Sequence, residues 1–406
     1  MSLTAFARSP DLQRLRGEGY AVRVHVSAAV GVAYLVVDDV AYVTPAAAVA
    51  HGRLVTQIDL STGRAGPPSD HTMHLAGERP SDQHGVELPV IAQYGDSLNA
   101  VDLPVNFYLS NKPASQQPFP DFYEKVAHYV RILEAHAQAL DPEATSRTFP
   151  TYADDDADGP FAYFDTATSR AGTEVLTQRL ALQRVAIVGL GGSGSYVLDL
   201  LAKTPIRELH LFDADVFLSH NAFRAPGAAS LDDLQDRPKK VDYYAAKYGV
   251  FKRSIVPHPY ALADDNADEL KDMDFVFLCM DGGRTKQSLV EVLERHERPF
   301  IDVGMGLHLT DDGIMGSLQT TLSTPQQREH LRTRVSMSDA ADDDLYNQNV
   351  QVVELNALNA TLAVIRYKKW LGFYRDEAQE HFTAYRLDTN SLINEDELPV
   401  AMKEAS

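Results

Sequence analysis

"VAIVGLGGSGSYVLDLLAK", residues 185–203, reads as a strand, a glycine-rich turn and the opening of a helix. Its apolar lead-in is continuous rather than alternating, the pattern of a strand buried on both faces of a parallel sheet. Gly189, Gly191 and Gly194 make G-x-G-x-x-G, and Asp213 stands about 20 residues on, where dinucleotide folds hold a ribose. Glycines there let backbone N–H groups approach an anion, and the following helix turns its positive end toward it. The turn alone therefore points to bound phosphates: NAD first, ATP or a related nucleotide second, a purely structural turn last.

Working outward, residues 170 to 390 alternate strand and helix. "TEVLTQRLALQ" reads as a short helix, and strands follow at "RVAIVGL", "ELHLFDAD", "SIVPH", "DFVFLCM" and "PFIDVG". Helices are expected over 195–203, at "KKVDYYAAKYG", at "DNADELK" and over 284–296, and a long buried one within "QNVQVVELNALNATLAVIRYKKWLGFY". Such alternation predicts an α/β domain with a doubly wound, Rossmann-like, mostly parallel sheet. "SDAADDDLYNQ" reads as a solvated loop, and 391–406 as a polar, fraying tail.

Residues 1–150 read as a smaller α+β domain. "YAVRVHV", "VAYLVV", "RLVTQIDL" and "HTMHLAG" are strand-like, and "PDFYEKVAHYVRILEAHAQAL" is a helix whose Val126, Val130, Leu133 and Ala137 share a face. Asp141-Pro142 ends it. The acidic stretch "TYADDDADGPFAYFD" makes 151–169 the expected linker.

Composition narrows the function. The 406 residues carry 37 Lys plus Arg against 57 Asp plus Glu, a formal charge of −20. That surface repels phosphate backbones, so nucleic acid is not an expected partner. Nothing approaches the ~20 apolar residues of a membrane span, and "MSLTAFARSPDLQRLRGEGY" has no secretion-signal pattern, so a cytoplasmic protein is expected. The single cysteine, Cys279, excludes an intrachain disulfide and a four-cysteine zinc site, so no structural zinc is expected. Cys279 itself reads as a buried, inert thiol, and His71, His74 and His84 as surface side chains.

The residues beyond the turn reverse the first ranking of ligands. "LFDADVFLSHNAFRAPG" puts Asp213 and Asp215 at a strand end, with Asn221 and Arg224 in the loop that follows. "RPKKVDYY" puts Lys239 and Lys240 at a helix start, and "FLCMDGGRTKQ" puts Asp281 at the end of a later strand. Hydride transfer has no use for this set. Cleavage of the α–β bond of ATP does: Arg224 and a lysine neutralise departing pyrophosphate, Asp281 holds Mg2+, and Asp213 takes the ribose.

In this order the residues resemble the adenylyltransferase domain of the ThiF/MoeB superfamily, which includes ubiquitin-activating enzymes. That family's pattern is G-x-G-G-x-G-S, D-x-D, S-N-L-x-R-Q, a P-K pair and T-D-N. Gly189, Gly191, Gly192, Gly194 and Ser195 match the first element, Asp213 and Asp215 the second, and Asn221 and Arg224 the third. The family lysine falls on Lys239 or Lys240, with Lys240 preferred, and the metal-binding aspartate falls on Asp281. Arg170 corresponds to an arginine that reaches a neighbouring subunit's site. His220, Ala225 and Gly282 depart from the pattern, and neither paired C-x-x-C motifs nor a cysteine in 304–345 is present.

The resemblance implies an ATP- and Mg2+-dependent enzyme that adenylates the C-terminal carboxylate of a ubiquitin-like or sulfur-carrier protein ending in Gly-Gly, in a bacterial ubiquitin-like conjugation pathway. It also implies a homodimer and, without a thioester cysteine in the chain, an external conjugating-enzyme, thiol or amine acceptor. Two other readings stay open: a non-catalytic ATP-binding scaffold, and an NAD-dependent oxidoreductase. A tRNA-modifying relative is disfavoured by the charge.

Overall fold

The computed structural model describes residues 9–28, 30–62, 64–96, 98, 100–113, 117–152, 159–337 and 350–398. The chain divides into two compact units, Met1–Asp158 with Tyr163–Glu174, and Gly159–Ala162 with Val175–Ser406.

In the first unit, helix α1 (Pro10–Gly17) precedes β1 (Ala21–Val26), β2 (Ala33–Val43), β3 (Val49–Gln57), β4 (Thr72–Ala76), β5 (Ile91–Tyr94) and β6 (Phe107–Ser110). These form a six-stranded sheet in the order β1-β2-β3-β4-β6-β5 with antiparallel pairing throughout. Helix α2 (Phe122–Leu140) is started by Asp121, whose carboxylate accepts the Glu124 N–H, and stops at Asp141 before Pro142. Its Val126, Val130 and Leu133 are buried in one core with Leu35, Val37 and Leu54 of the sheet, and Ala137 is buried against Ala41 and Val43. The expected face is the one that packs.

The chain passes between the two units more than once around the expected linker. Helix α3 (Thr166–Ala171), begun by the Asp165 side chain, belongs to the first unit, whereas residues 159–162 belong to the second. There the Ala162 N–H bonds the Phe251 carbonyl at 2.7 Å. The acidic residues 153–158, the 338–348 stretch and the tail beyond 398 lie outside the described residues.

The second unit is built on an eight-stranded sheet: β7 (Arg184–Val188), β8 (Glu208–Phe212), β9 (Ile255–His258), β10 (Phe275–Leu278), β11 (Phe300–Thr310), β12 (Gly313–Ser323), β13 (Glu380–Arg386) and β14 (Ser391–Glu397). Their spatial order is β14-β13-β12-β11-β10-β7-β8-β9. From β11 to β9 the pairings are parallel, as expected. Val185 and Ile187 pack on one face with α4 (Gly192–Ala202), α5 (Lys240–Gly249) and α7 (Val353–Trp370). Ala186 and Val188 pack on the other with α6 (Arg284–Arg295). Helices on both faces explain the unbroken apolar run.

The other half of the sheet departs from expectation. Strands β12, β13 and β14 add antiparallel to β11, and residues 391–397 are edge strand β14, not a fraying tail. Glu395 and Asp396, which made that segment look like solvated tail, are ion-paired with Arg334. A charged, short outer strand also discourages edge-to-edge association. At 265–271 the expected α-helix is a 3-10 helix, Ala267–Asp272. No helix among the described residues is long and apolar enough to cross a membrane.

Candidate nucleotide site

The site starts where β7 ends. Gly189 has φ +89°, and a side chain on it would meet the Cys279 carbonyl oxygen at 2.6 Å. Gly194 must also be bare, since a Cβ would come within 1.9 Å of the Gly189 oxygen. The turn thus folds tightly onto the first turn of α4, whose opening N–H groups have no partner within their own helix. Ser195 is fully buried and returns its hydroxyl to the Gly192 carbonyl at 2.8 Å. It shapes the helix start and does not face the cavity, contrary to its expected contact with a ligand.

Asp213, at the end of β8, braces the same turn. Its carboxylate accepts the Leu190 N–H at 2.7 Å and the Asp215 N–H at 2.8 Å. The buried Lys240 ammonium, entering from the start of α5, bridges Asp213 at 3.3 Å and Asp215 at 2.7 Å. The hydrogen bond from Lys240 holds the Asp215 carboxyl below its usual range. Lys239 donates to the Ala214 carbonyl at 2.5 Å, so both lysines fasten the 213–215 segment. Of the two carboxylates, Asp215 is the open one, 72% exposed against 8% for Asp213.

Asn221 and Arg224 lie apart from the lining of the cavity described next. Asn221 is buried and accepts the Leu218 N–H at 2.9 Å, which starts the one-turn helix Ser219–Ala222. Arg224 is half-buried, and its Nε is enclosed without a hydrogen-bond partner among the described residues. His220 is exposed on the same short helix. Arg170 sits on α3, its guanidinium 5.4 Å from the Phe149 ring.

A cavity of about 250 Å³ opens at the carboxyl ends of β7 and β10, beside residues 302–306 of β11, walled in part by Gly191, Gly192, Asp281, Lys286, Asp302 and Asn356. Open parallel sheets bind ligands at this end. Asp281 is exposed at its rim. Lys286 and Asp302 form a buried pair at 2.7 Å, 4% and 7% exposed. Burial pushes the Asp302 carboxyl up, with Lys286 pulling it back. Cys279, expected as a buried, inert thiol, is half-buried and lines the cavity, its thiol held protonated by burial and by Asp302.

Asp281 stands exposed at the rim, while Asp302 is paired with Lys286. Among the described residues no three His, Cys, Asp or Glu side chains gather to hold a metal ion. One carboxylate suits Mg2+, which takes most of its ligands from phosphate and water, and does not suit a cation that needs an all-protein cage. In the first unit, His71 bonds Ser110 at 3.1 Å and His74 leans on Tyr108 at 5.1 Å. Both are half-buried and not surface groups; His84 is exposed.

Several cavity residues escaped the sequence reading, Asp302, Lys286 and Asn356 among them. Asp302 carried a usable signal, a lone charge inside the apolar strand "PFIDVG". Lys286 sits in the first turn of α6, where an exposed lysine is the default. Asn356 looked like one polar position on a buried helix.

Comparison with known proteins agrees with this geometry. A profile of the ThiF family matches residues 165–401, and a domain of unknown function, DUF6791, matches residues 10–166. The second unit thus defines a ThiF-type α/β domain. The chain belongs to the ThiF family. Among solved structures, PaaA is 18% identical with a TM-score of 0.44, covering 55% of this chain and 76% of that one. MccB of E. coli crystallised with ATP is 17% identical with a TM-score of 0.42, covering 56% and 68%. The microcin C7 biosynthetic enzyme MccB in complex with N-formylated MccA is 17% identical with a TM-score of 0.44, covering 58% and 72%.

Proposed function

We propose that the chain is an ATP-dependent adenylating enzyme acting on a carboxylate, and more specifically an adenylyltransferase for a ubiquitin-like or sulfur-carrier protein ending in Gly-Gly. The observation that carries the reading is the glycine turn at the start of α4 opening into a cavity that Asp281 rims. Membership of the ThiF family supports ATP over NAD as the ligand of that turn.

The chemistry asks little of a base. A carboxylate is already ionised near neutral pH, so its oxygen attacks the α-phosphorus of ATP directly, forming the acyl–phosphate bond as the α–β bond breaks and pyrophosphate leaves. Catalysis is then positioning and charge stabilisation. The N–H groups at the start of α4 bind phosphate oxygens. Asp213 and Asp215 serve the ribose, Asp215 with its open carboxylate. Lys240 or Lys239, Arg224 and Asn221 serve the phosphates once the nucleotide draws them in. Asp281 would hold Mg2+, which when bound neutralises phosphate charge. Without a cysteine in residues 304–345 to form a thioester, the enzyme would pass the acyl group to an external acceptor, working as a homodimer.

The test is ATP–pyrophosphate exchange with candidate Gly-Gly proteins encoded beside this gene. Exchange that depends on the Gly-Gly terminus and falls at least ~100-fold in Asp281→Ala is the expected result. No exchange with any of them refutes the substrate assignment. One observation favours a second reading, a non-catalytic ATP-binding scaffold: Asn221 and Arg224 do not line the cavity. That reading requires Arg224→Ala and Asp281→Ala to leave cellular function intact.

A further inference from the structure

Asn356 occupies the first turn of α7 and is fully buried. It presses on the start of α4: its Cγ lies 2.3 Å from where a Cβ on Gly192 would stand, and its Oδ1 accepts the Ser193 hydroxyl at 3.2 Å. Its Nδ2 is enclosed and has no hydrogen-bond partner among the described residues. With Oδ1 accepting from Ser193, the amide Nδ2 is the polar atom left unmet. Native structures seldom leave a buried amide in that state, and each such group asks for an explanation.

The cavity supplies one, because Asn356 is part of its wall beside Gly191 and Gly192. The missing partner of Nδ2 is an acceptor. The neighbouring groups at the start of α4 are N–H donors with a positive helix end, and the buried Lys286 nearby is already matched by Asp302. An acceptor that satisfies a carboxamide and a helix start together is an anionic oxygen. We propose that Asn356 is a nucleotide-binding residue, its amide donating to a phosphate oxygen of the bound nucleotide beside the glycine turn. The assignment rests on the ATP reading of the turn and adds a residue from α7 that the motif does not contain.

Calorimetric titration of the full chain with Mg2+-ATP, AMP and adenosine tests it. Asn356→Ala is expected to weaken ATP and AMP about tenfold, the loss of one charge-assisted hydrogen bond, and to leave adenosine unchanged. Asn356→Asp keeps the shape and the acceptor for Ser193 but sets a carboxylate against the phosphate. It is expected to weaken ATP by at least ~100-fold, read at a temperature where its own unfolding curve shows the variant folded. Ser193→Ala separates binding from positioning, because a residue acting only through Ser193 would be mimicked by it. The proposal is overturned if both Asn356 variants bind ATP within about twofold of the parent, if adenosine loses as much as ATP, or if Ser193→Ala reproduces the whole loss. If those variants bind normally while Gly191→Ala, which lines the cavity and keeps the parent's melting temperature, binds ATP less well, the inference alone falls. A parent chain that binds no ATP takes the ATP reading down with it.

Discussion

Replacing Lys286 with methionine removes a buried charge while keeping the length of its stem. Asp302 would remain 7% exposed with its partner gone, and breaking a buried ion pair from one side costs about 3–5 kcal/mol. The cost depends on pH with a definite sign. Burial already raises the Asp302 carboxyl above its usual value of 3.8, and losing Lys286 raises it further. A group whose folded pKa exceeds its unfolded one contributes stability that is full below the unfolded value and is lost as pH rises through the folded value. Lys286→Met should therefore be clearly less destabilised at pH 5 than at pH 8. The assay follows from Trp370, the single tryptophan, which lies at the end of α7 with its ring 5.2 Å from Phe275. Its fluorescence in urea reports the second unit alone, and the expected loss lowers the midpoint on the order of 1–2 M. Adding Asp302→Asn should recover most of it, since no stranded charge remains. A loss below about 1 kcal/mol at pH 8, or one that does not change between pH 5 and pH 8, refutes the pair as a buried electrostatic unit.

Burial holds His381 at about 4, well below the usual 6.5, so it must charge inside the fold on acidification. Its folded value is depressed, so the stability of the second unit should fall as pH drops from about 6.5 to about 4. Urea midpoints measured across that window check this, and His381→Gln should flatten the fall. Two glycines of the turn should behave oppositely. Gly194→Ala, with backbone 1.9 Å from the new Cβ, should lose ATP binding and cost several kcal/mol. Gly191→Ala meets nothing within 4 Å, so its melting temperature should match the parent while the cavity it lines binds ATP less well; equal damage in both variants would refute the distinction.

How much was legible followed the distance over which each feature is decided. The strand, turn and helix of 185–203 are local: continuous apolar residues, then glycines at fixed offsets, and the structure realises them with Gly189 at positive φ. The helix face of Val126, Val130, Leu133 and Ala137 was legible for the same reason, because a repeat of three to four residues is written along the chain. Strand β14 was not. Its polar residues describe an exposed edge, and only the neighbouring β13 and Arg334 make that edge a strand. Within the expected linker, residues 159–162 exchange hydrogen bonds with Phe251 and Arg253, far along the chain, which no local pattern records.

The sequence by itself determined the class of the second unit and the presence of a phosphate-binding turn, since strand burial, glycine spacing and helix start are all short-range properties. Tertiary structure alone decided what surrounds that turn. It tied Asp213 to the Leu190 N–H and Lys240, buried Ser195 away from the cavity, and paired Lys286 with Asp302. It also brought Asn356 against Gly192 across 163 positions from Ser193. Such contacts are set by how helices pack on a sheet, where a side chain's neighbours come from other elements, and no local pattern records them.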